Sequence, residues 1–258
     1  KGWMIDKVLQ GIFNNTVGNY ELIVVLDGCT DNSEDVVKEY ISKFKECTVL
    51  YADNVFETTA NNLGLKAAEG DYAIIIQDDM IIEEHGWNRR MQKPLLKLDD
   101  VFAVTARTAH NYVVNPNSQH INMKENLSTG WCDILQSVDE ADASNIPRDT
   151  FAIRSTVNRG PLMIDLGDLK TLNYFDEAYA PQDMDDHDLM YRAWKELGKV
   201  CGCYWIKMQS ETDWGGTRVS GEPAPWLFNA HHKNSKLFYS RNKDVLEDRR
   251  VVINKKVS

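Results

Sequence analysis

The stretch from Gly70 to Met80, Gly-Asp-Tyr-Ala-Ile-Ile-Ile-Gln-Asp-Asp-Met, joins an apolar run directly to two adjacent carboxylates. Ala73 to Ile76 predicts a short strand that is buried on both faces, the pattern of a parallel sheet. Ligands bind to such sheets outside the carboxyl ends of the strands, so Asp78 and Asp79 are predicted to lie in a binding site. Adjacent carboxylates repel each other, which favours either protonation of one of them or a cation held between them and an anionic ligand. We favour a metal site over a loop cap at this position.

Strand and helix patterns alternate around this stretch. Glu21 to Leu26 predicts a buried strand that ends at Asp27, Thr58 to Glu69 predicts the helix before the quoted strand, and Val101 to Thr105 predicts a further strand. The alternation predicts an α/β fold with a mostly parallel central sheet and helices on both faces. Periodicity fails over residues 106–158, which we interpret as irregular or acceptor-contacting structure.

Composition narrows the function classes. The chain has 258 residues, of which 43% are hydrophobic, enough to bury a sizeable core. A net charge of −10 argues against a nucleic-acid or anionic-membrane partner, because such surfaces need clustered Lys and Arg, and no apolar run is long enough to span a membrane. Five cysteines without metal-finger spacing favour a reducing compartment and hence a cytoplasmic location. The opening Lys1-Gly2-Trp3 is not a natural initiation, so we expect part of a longer protein.

Two further acidic positions are candidates for chemistry. Asp27 can present its carboxylate to a nucleotide base or ribose, or it can form an Asx turn, and both interpretations stay open. A helix predicted over about 183–197 begins with an acidic cluster. Asp186 shares a face with apolar residues, so we expect it to point inward while Asp185 and Asp188 lean elsewhere. An inward carboxylate suits a general base, although acidic residues in a first turn also complement the helix dipole.

The adjacent histidines His231 and His232 lie far along the chain. In an acidic protein that needs a cation they are candidate metal ligands, with a surface or packing role as the alternative.

Taken together, these motifs resemble the GT-A glycosyltransferases, specifically family 2 of the inverting nucleotide-sugar enzymes. The turn Asp-Gly-Cys-Thr-Asp-Asn-Ser that starts at Asp27 is similar to the family's strand end, and the resemblance places Asp27 on the nucleotide base. Asn62-Leu-Gly, followed by Gly-Asp-Tyr and then Gln77-Asp78-Asp79, is similar to the family's Asn-x-Gly helix and Asp-any-Asp motif. This match makes Asp79 the metal ligand and places Asn62, Gln77 and Asp78 among the donor-binding residues.

Downstream, Asp-Asp-His-Asp-Leu over residues 185–189 is similar to the family's Glu-Asp-x-Asp-Leu and places Asp186 at the catalytic base. His231 and His232 resemble the His-rich end of relatives that act on glycans, where a His completes the metal or diphosphate site. Gln77 stands where the family usually has the first Asp of its metal motif. The family's first strand, which forms part of the base pocket, has no counterpart in this chain.

The resemblance implies a metal-dependent inverting transfer of a sugar from a nucleotide-sugar donor, a UDP-sugar first among them, to a hydroxyl of a glycan or other acceptor. Mn²⁺ or Mg²⁺ would neutralise the departing diphosphate while Asp186 takes the acceptor's proton. We expect a nucleotide-sugar-binding half over residues 1–105 and an acceptor-binding and catalytic half over residues 106–258. The alternatives are a non-catalytic GT-A-like module that binds a glycan or a partner, and a nucleotidyltransferase that releases pyrophosphate.

Overall fold

The structure is a computed structural model, and it describes residues 2–110, 140–210, 225–246 and 255–256. Its α-helices are, in chain order, α1 (Gly2–Asn15), α2 (Ser33–Ile41), α3 (Phe56–Ala67), α4 (Trp87–Lys97), α5 (Leu166–Thr171), α6 (Asp185–Arg192) and α7 (Pro225–Leu246). Its strands are β1 (Leu22–Asp27), β2 (Cys47–Ala52), β3 (Tyr72–Ile75), β4 (Ile81–Ile82), β5 (Val101–Thr105), β6 (Thr108–His110), β7 (Glu140–Asp142), β8 (Thr150–Arg154), β9 (Thr156–Val157), β10 (Leu162–Asp165), β11 (Val200–Cys203), β12 (Met208–Gln209) and β13 (Lys255–Lys256).

The element predictions hold well in the first hundred residues. The predicted strands that became β1, β3 and β5, and the predicted helix that became α3, begin and end within two residues of their predicted bounds. Residues 106–158 were predicted to be irregular, but their described parts contain the strands β6 to β9. These strands have two to five residues, too few for the alternation of apolar and polar residues to be legible. Residues 111–139 of this stretch lie outside the described residues.

The central sheet has six strands in the order β13-β8-β11-β5-β10-β3. β5 and β11 pair in parallel, and β1 and β2 form a separate parallel pair. β10 lies between β3 and β5 in this sheet and runs antiparallel to both. The predicted α/β class is confirmed, whereas the central sheet, which was predicted to be mostly parallel, has four antiparallel pairs and one parallel pair, β5 with β11.

The direction of β10 matters for the site. Its first residue, Leu162, pairs with Ile75 at the end of β3 and with Thr105 at the end of β5. Residues 158–161, which come just before β10, therefore lie at the carboxyl ends of these two strands. An antiparallel strand thus brings its amino end to the edge at which the sequence predicted chemistry.

Apolar side chains cover both faces of the central sheet, as predicted. In β10, Leu162 and Ile164 belong to a cluster that includes side chains of α3, α5 and α6, whereas Met163 belongs to a second cluster with α4. All three side chains are at most 3% exposed. Full burial of such a side chain contributes about 1.5–3 kcal/mol, so this strand anchors both layers of helices.

β1 and β3 each have one hydrogen-bonded neighbour within the described residues, namely β2 and β10. Residues 22–25 of β1 stay partly exposed, although their apolar sequence predicts burial on both faces.

None of the helices that the structure describes combines the length and the apolar character needed to cross a membrane. Among the described residues, the cysteines at positions 29, 47, 201 and 203 are free thiols.

Candidate active site

Asp27 closes β1, and its carboxylate holds the start of α3. Its Oδ1 accepts the backbone N–H of Val55 at 2.7 Å, and its Oδ2 accepts that of Phe56 at 2.8 Å. Each carboxylate oxygen has two lone pairs, so these bonds leave acceptor capacity for a ligand. Asp27 therefore joins strand to helix, and its contact with a base stays a prediction.

Asn62 lies on α3 and is 2% exposed. Its Nδ2 donates to the carbonyl oxygen of Phe175 at 2.9 Å and to Glu177 Oε1 at 3.0 Å, and the N–H of Phe175 donates to its Oδ1 at 3.1 Å. Both amide protons are used within the protein. The structure therefore gives this predicted donor-binding residue a supporting position between α3 and the 175–177 segment.

Gln77, Asp78 and Asp79 form a turn after β3, which a hydrogen bond from the N–H of Met80 to the carbonyl of Gln77 closes at 3.2 Å. The turn makes the two carboxylates unequal, since Asp78 is exposed and Asp79 is 8% exposed. Gly160 packs against this turn: a Cβ there would lie 2.7 Å from Met80 Cε and 2.8 Å from Gln77 Oε1. Its φ of +78° also lies in the left-handed region, so glycine is required at this approach.

The acidic cluster begins helix α6 and is buried. Asp185, Asp186 and Asp188 are 0%, 7% and 2% exposed. The inward orientation predicted for Asp186 is confirmed, whereas the prediction that Asp185 and Asp188 lean elsewhere is wrong. Each of those two has a cationic partner, because Arg159 contacts Asp185 and Arg192 lies 2.8 Å from Asp188. Buried carboxylates need such partners to offset lost hydration.

Arg159 connects α6 to α3. Its Nη1 donates to Asp185 Oδ2, its Nη2 lies 3.2 Å from Glu57 Oε2, and its backbone N–H donates to Asp186 Oδ2 at 3.2 Å. Glu57 Oε1 in turn accepts a hydrogen bond from Gln77 Nε2 at 2.5 Å. A continuous chain of polar contacts therefore joins the turn after β3 to the predicted base.

The pKa of Asp186 is raised to about 6, chiefly because burial penalises its charged form. The positive charge of Arg159 opposes this shift, and the carboxylates of Asp185 and Asp183 reinforce it. Arg159 contacts Glu57 and Asp185 through its guanidinium and Asp186 through its backbone N–H. Its single positive charge does not cancel the repulsion among these three carboxylates. A carboxylate of this kind is ionised at neutral pH and accepts a proton more readily than an ordinary Asp, as a general base should.

Two neutral histidines contact Asn158, the residue before Arg159. His110 Nε2 and His187 Nε2 are 3.1 Å and 3.3 Å from the same oxygen, Asn158 Oδ1. Burial lowers the pKa of His110 to about 3 and that of His187 to about 4, so both rings are neutral at pH 7. In the tautomer that this contact requires, each ring donates its Nε2–H to Asn158, which fixes the residue before Arg159.

Helix α7 carries the two candidate metal-binding histidines and packs against the segment that enters α6. His231 contacts the carboxylate of Asp183, and His232 is exposed. Asn234 is fully buried, and its Nδ2 donates to the carbonyl oxygens of residues 179, 182 and 183 at 2.6–3.2 Å. The helix therefore fixes the backbone that leads to Asp186.

The donor set suits a hard divalent cation. Asp79 supplies carboxylate oxygens at the end of β3, and Mg²⁺ typically binds through one or two carboxylates together with waters and substrate phosphates. Within the described residues, no group of three or more His, Cys, Asp or Glu side chains could hold a metal ion. Metal binding by Asp79 stays a prediction.

The sequence interpretation missed Glu57, Asn158 and Arg159. Site residues were expected at the carboxyl ends of parallel strands. Asn158 and Arg159 lie at that edge of the sheet because they precede β10, which is antiparallel to its neighbours. A sequence signal was present in Gly160-Pro161, a turn dipeptide directly before an apolar run.

The fold is that of the GT-A glycosyltransferases. The chain is similar to the crystal structure of S. aureus TarS 1-349 in complex with UDP, with a TM-score of 0.51, 15% identity and coverage of 80% of this chain and 55% of that one. It is also similar to the mannosyltransferase PcManGT from Pyrobaculum calidifontis in complex with GDP-Man and Mn²⁺, with a TM-score of 0.52, 13% identity and coverage of 80% and 54%. For GalNAc-T7 with UDP, GalNAc and Mn²⁺ the TM-score is 0.55, with 14% identity and coverage of 78% and 39%.

Sequence comparison gives the family. The model of "Glycosyl transferase family 2" matches residues 3–160, more than half of the chain. The chain belongs to glycosyl transferase family 2, which confirms the resemblance drawn from its motifs.

Curated relatives are longer proteins. Chondroitin synthase of Escherichia coli is 24% identical over 217 residues, which cover 75% of this chain and 30% of that protein. Glycosyltransferase GlyG of Streptococcus pneumoniae is 31% identical over 85 residues, which cover 33% of this chain and 28% of that protein. The matched region thus spans less than a third of the length of either relative.

Proposed function

We propose that this chain is the catalytic domain of a metal-dependent, inverting glycosyltransferase that moves a sugar from a nucleotide-sugar donor to a hydroxyl of a glycan or another acceptor. The observation that carries the proposal is the continuous chain of polar contacts from Gln77 through Glu57 and Arg159 to Asp186, of which Arg159 and Asp186 are buried. It fixes a donor-side turn of residues 1–105 against a base in residues 106–258. A nucleotide-sugar donor is supported by the complexes of GT-A neighbours with UDP or GDP-Man, and a UDP-sugar is the first candidate.

Asp186 acts as the general base in this proposal. It takes the proton of the acceptor hydroxyl while the hydroxyl oxygen forms a bond to the anomeric carbon of the donor sugar. The bond between that carbon and the diphosphate oxygen breaks, and the nucleoside diphosphate leaves with the electron pair. A single displacement inverts the configuration at the carbon. Burial and the contacts of Arg159 hold the carboxylate in place for this step.

On the donor side, Asp27 is proposed to accept a hydrogen bond from the base, and Gln77 and Asp78 to lie near the ribose. A divalent cation bound at Asp79, when present, neutralises the charge that develops on the leaving diphosphate. Asn62 supports this side from within the protein, through its bonds to the 175–177 segment.

His231 is proposed as the second protein ligand of the cation. Both histidines are exposed, but His231 contacts Asp183, which lies shortly before α6, and this contact makes it the favoured candidate over His232.

A thermal-shift screen of nucleoside diphosphates and nucleotide sugars, each with and without Mn²⁺, tests the proposal. A ligand that binds only the folded protein raises the unfolding midpoint by mass action. We expect at least one uridine or guanosine ligand to raise it in a Mn²⁺-dependent way, and Asp79→Ala to abolish that dependence. Asp99→Ala removes an exposed carboxylate elsewhere and should leave it intact.

Product analysis completes the test. With the donor that the screen identifies, we expect release of a nucleoside diphosphate and no pyrophosphate, which separates a transferase from a nucleotidyltransferase. Absence of any metal-dependent shift across the screen would contradict the proposal.

A further inference from the structure

We propose that Arg159 is a positioning residue of the transfer reaction: held between Glu57 on α3 and Asp185 on α6, it fixes where Asp186 lies and places a positive charge beside it. This inference rests on the proposed role of Asp186 as the base.

The geometry is that of a clamp. Arg159 is 5% exposed, and its two terminal nitrogens contact carboxylates on two different helices. Its guanidinium carbon lies 5.5 Å from the centre of the Phe175 ring, which closes one side of the clamp. The guanidinium fork is planar and rigid, so it can contact two carboxylates at once, whereas a lysine ammonium is a single point charge.

The backbone of the same residue adds a second hold. The N–H of Arg159 donates to Asp186 Oδ2, so main chain and side chain together fix the first turn of α6. The next residue, Gly160, packs against Gln77 and Met80 with no room for a Cβ. Arg159 therefore cannot move relative to the turn after β3 without disturbing that contact, and the position of Asp186 follows the donor side.

The charges around Asp186 make Arg159 the main electrostatic control. The titratable groups that face Asp186 come from its own helix, from the loop before it, from β11 and from the turn before β10, and they are Asp185, His187, Asp183, Cys201 and Arg159. Helix α7 contributes His231, which contacts Asp183. His187 is neutral at pH 7, since burial lowers its pKa to about 4. Loss of Arg159 would therefore leave neighbouring carboxylates to raise the pKa of Asp186 further.

Two substitutions separate charge from geometry. Arg159→Gln removes the charge, so the pH at which kcat becomes half-maximal should rise by about one unit or more. The plateau value of kcat should fall roughly 10- to 100-fold, because the base is no longer held in place. Arg159→Lys keeps the positive charge but loses the planar guanidinium that contacts two carboxylates at once. We therefore expect kcat to fall, while the pH of half-maximal kcat stays within about half a unit of the parent's. Arg192→Gln is the matched control, because it removes a guanidinium that pairs with Asp188 on the same helix; it should leave the midpoint unchanged.

A readout independent of turnover accompanies the kinetics. The ¹³C signal of the Asp186 side-chain carboxyl, assigned by its loss in Asp186→Asn, is titrated in the parent and the variants. An upward shift in Arg159→Gln that is absent in Arg192→Gln supports the proposal, even if no donor is turned over. An unchanged Asp186 titration in folded Arg159→Gln overturns it. If Arg159→Gln does not fold, Arg159→Lys is the test. A kcat of Arg159→Lys equal to the parent's, together with an unchanged Asp186 titration, would overturn the proposal.

Discussion

At the residue scale, burial of the Asp186 carboxylate lowers the stability of the folded protein. The same burial raises the pKa of Asp186, which suits it to the proposed role of general base. Desolvation raises its pKa to about 6, and Arg159 limits the rise without reversing it. A carboxylate that stays ionised at pH 7 yet binds protons more tightly than an exposed Asp is a better proton acceptor. Asp186→Asn is therefore predicted to lower activity and to raise stability.

The pH dependence of turnover follows from this pKa. The base accepts a proton only when it is ionised, so kcat should rise about tenfold per pH unit below pH 6 and level off above it. Initial rates between pH 4.5 and 8, with donor and metal saturating, measure this limb. A rate that stays constant from pH 4.5 to 8 would exclude Asp186 as the group that titrates.

Stability should respond in the opposite sense. The folded pKa of Asp186 lies above its unfolded value of about 4, so the folded state binds more protons between these pH values and the parent loses stability as pH rises through them. Asp186→Asn removes this penalty. Relative to the parent, we expect the unfolding free energy of Asp186→Asn to increase between about pH 4 and pH 6, by up to about 3 kcal/mol. Above pH 6 the difference between the two proteins should be constant. Urea unfolding at pH 4, 6 and 8 measures it, and a difference that shrinks as pH rises would contradict the assignment.

At the element scale, short connections place the catalytic groups. β10 enters the sheet antiparallel, so the turn before it meets the turn after β3, and glycine permits their contact. In a similar way, α7 fixes the backbone before α6. Asp183 and Met184 there have φ values of +81° and +64°, a strained conformation for residues with side chains, and the amide of Asn234 holds the carbonyls next to them.

Gly160→Ala tests the contact between the two turns. The alanine must adopt a left-handed φ and must also displace Met80 and Gln77, whereas Gly198→Ala meets the same φ requirement with no atom within 4 Å. We expect Gly198→Ala to cost about 1 kcal/mol and Gly160→Ala roughly 1–3 kcal/mol more. Donor affinity should fall in Gly160→Ala alone. Equal unfolding free energies for the two variants would show that the turns are not in close contact.

Asn234→Asp tests the hold of α7 on the loop before α6. It replaces an amide that donates to three carbonyl oxygens with a carboxylate that faces them. We expect a loss of about 2–4 kcal/mol in unfolding free energy and a lower kcat, whereas Lys233→Ala, at the exposed neighbouring position, should change stability by less than about 0.5 kcal/mol. Thermal unfolding of both variants measures this, and comparable midpoints would refute the anchoring role.

At the scale of the whole molecule, periodicity predicted the alternating elements and the family motifs predicted Asp27, Asp79 and Asp186 as site residues. Local sequence carries that information, because a buried strand needs continuous apolar residues and a helix needs a 3.6-residue period. The direction of β10 and the partners of Arg159 depend on contacts between distant segments, so no local pattern reports them. The contact of Asn62 with Phe175 also joins distant segments, so the local sequence does not predict it.

The two proposed halves of the molecule meet at a chain of polar side chains. Gln77 and Glu57 belong to the first half, and Arg159 and Asp186 to the second. These contacts hold the turn after β3 next to the first turn of α6, so a donor bound by the first half would lie close to the proposed base of the second. Transfer therefore requires both halves in one folded unit. The cytoplasmic location and the membership in a longer protein stay predictions from the sequence.

The most direct test of the central claim is the rate of nucleoside diphosphate release from the identified donor, with Mn²⁺ and acceptor, in the parent, Asp186→Asn and Asp176→Asn. Asp176 is a partly exposed carboxylate that pairs with Arg241, so its substitution controls for the loss of an ion pair. We predict that Asp186→Asn binds the donor like the parent and turns it over roughly 100- to 10,000-fold more slowly, while Asp176→Asn keeps the parent's rate. Turnover by Asp186→Asn at the parent's rate would contradict the account.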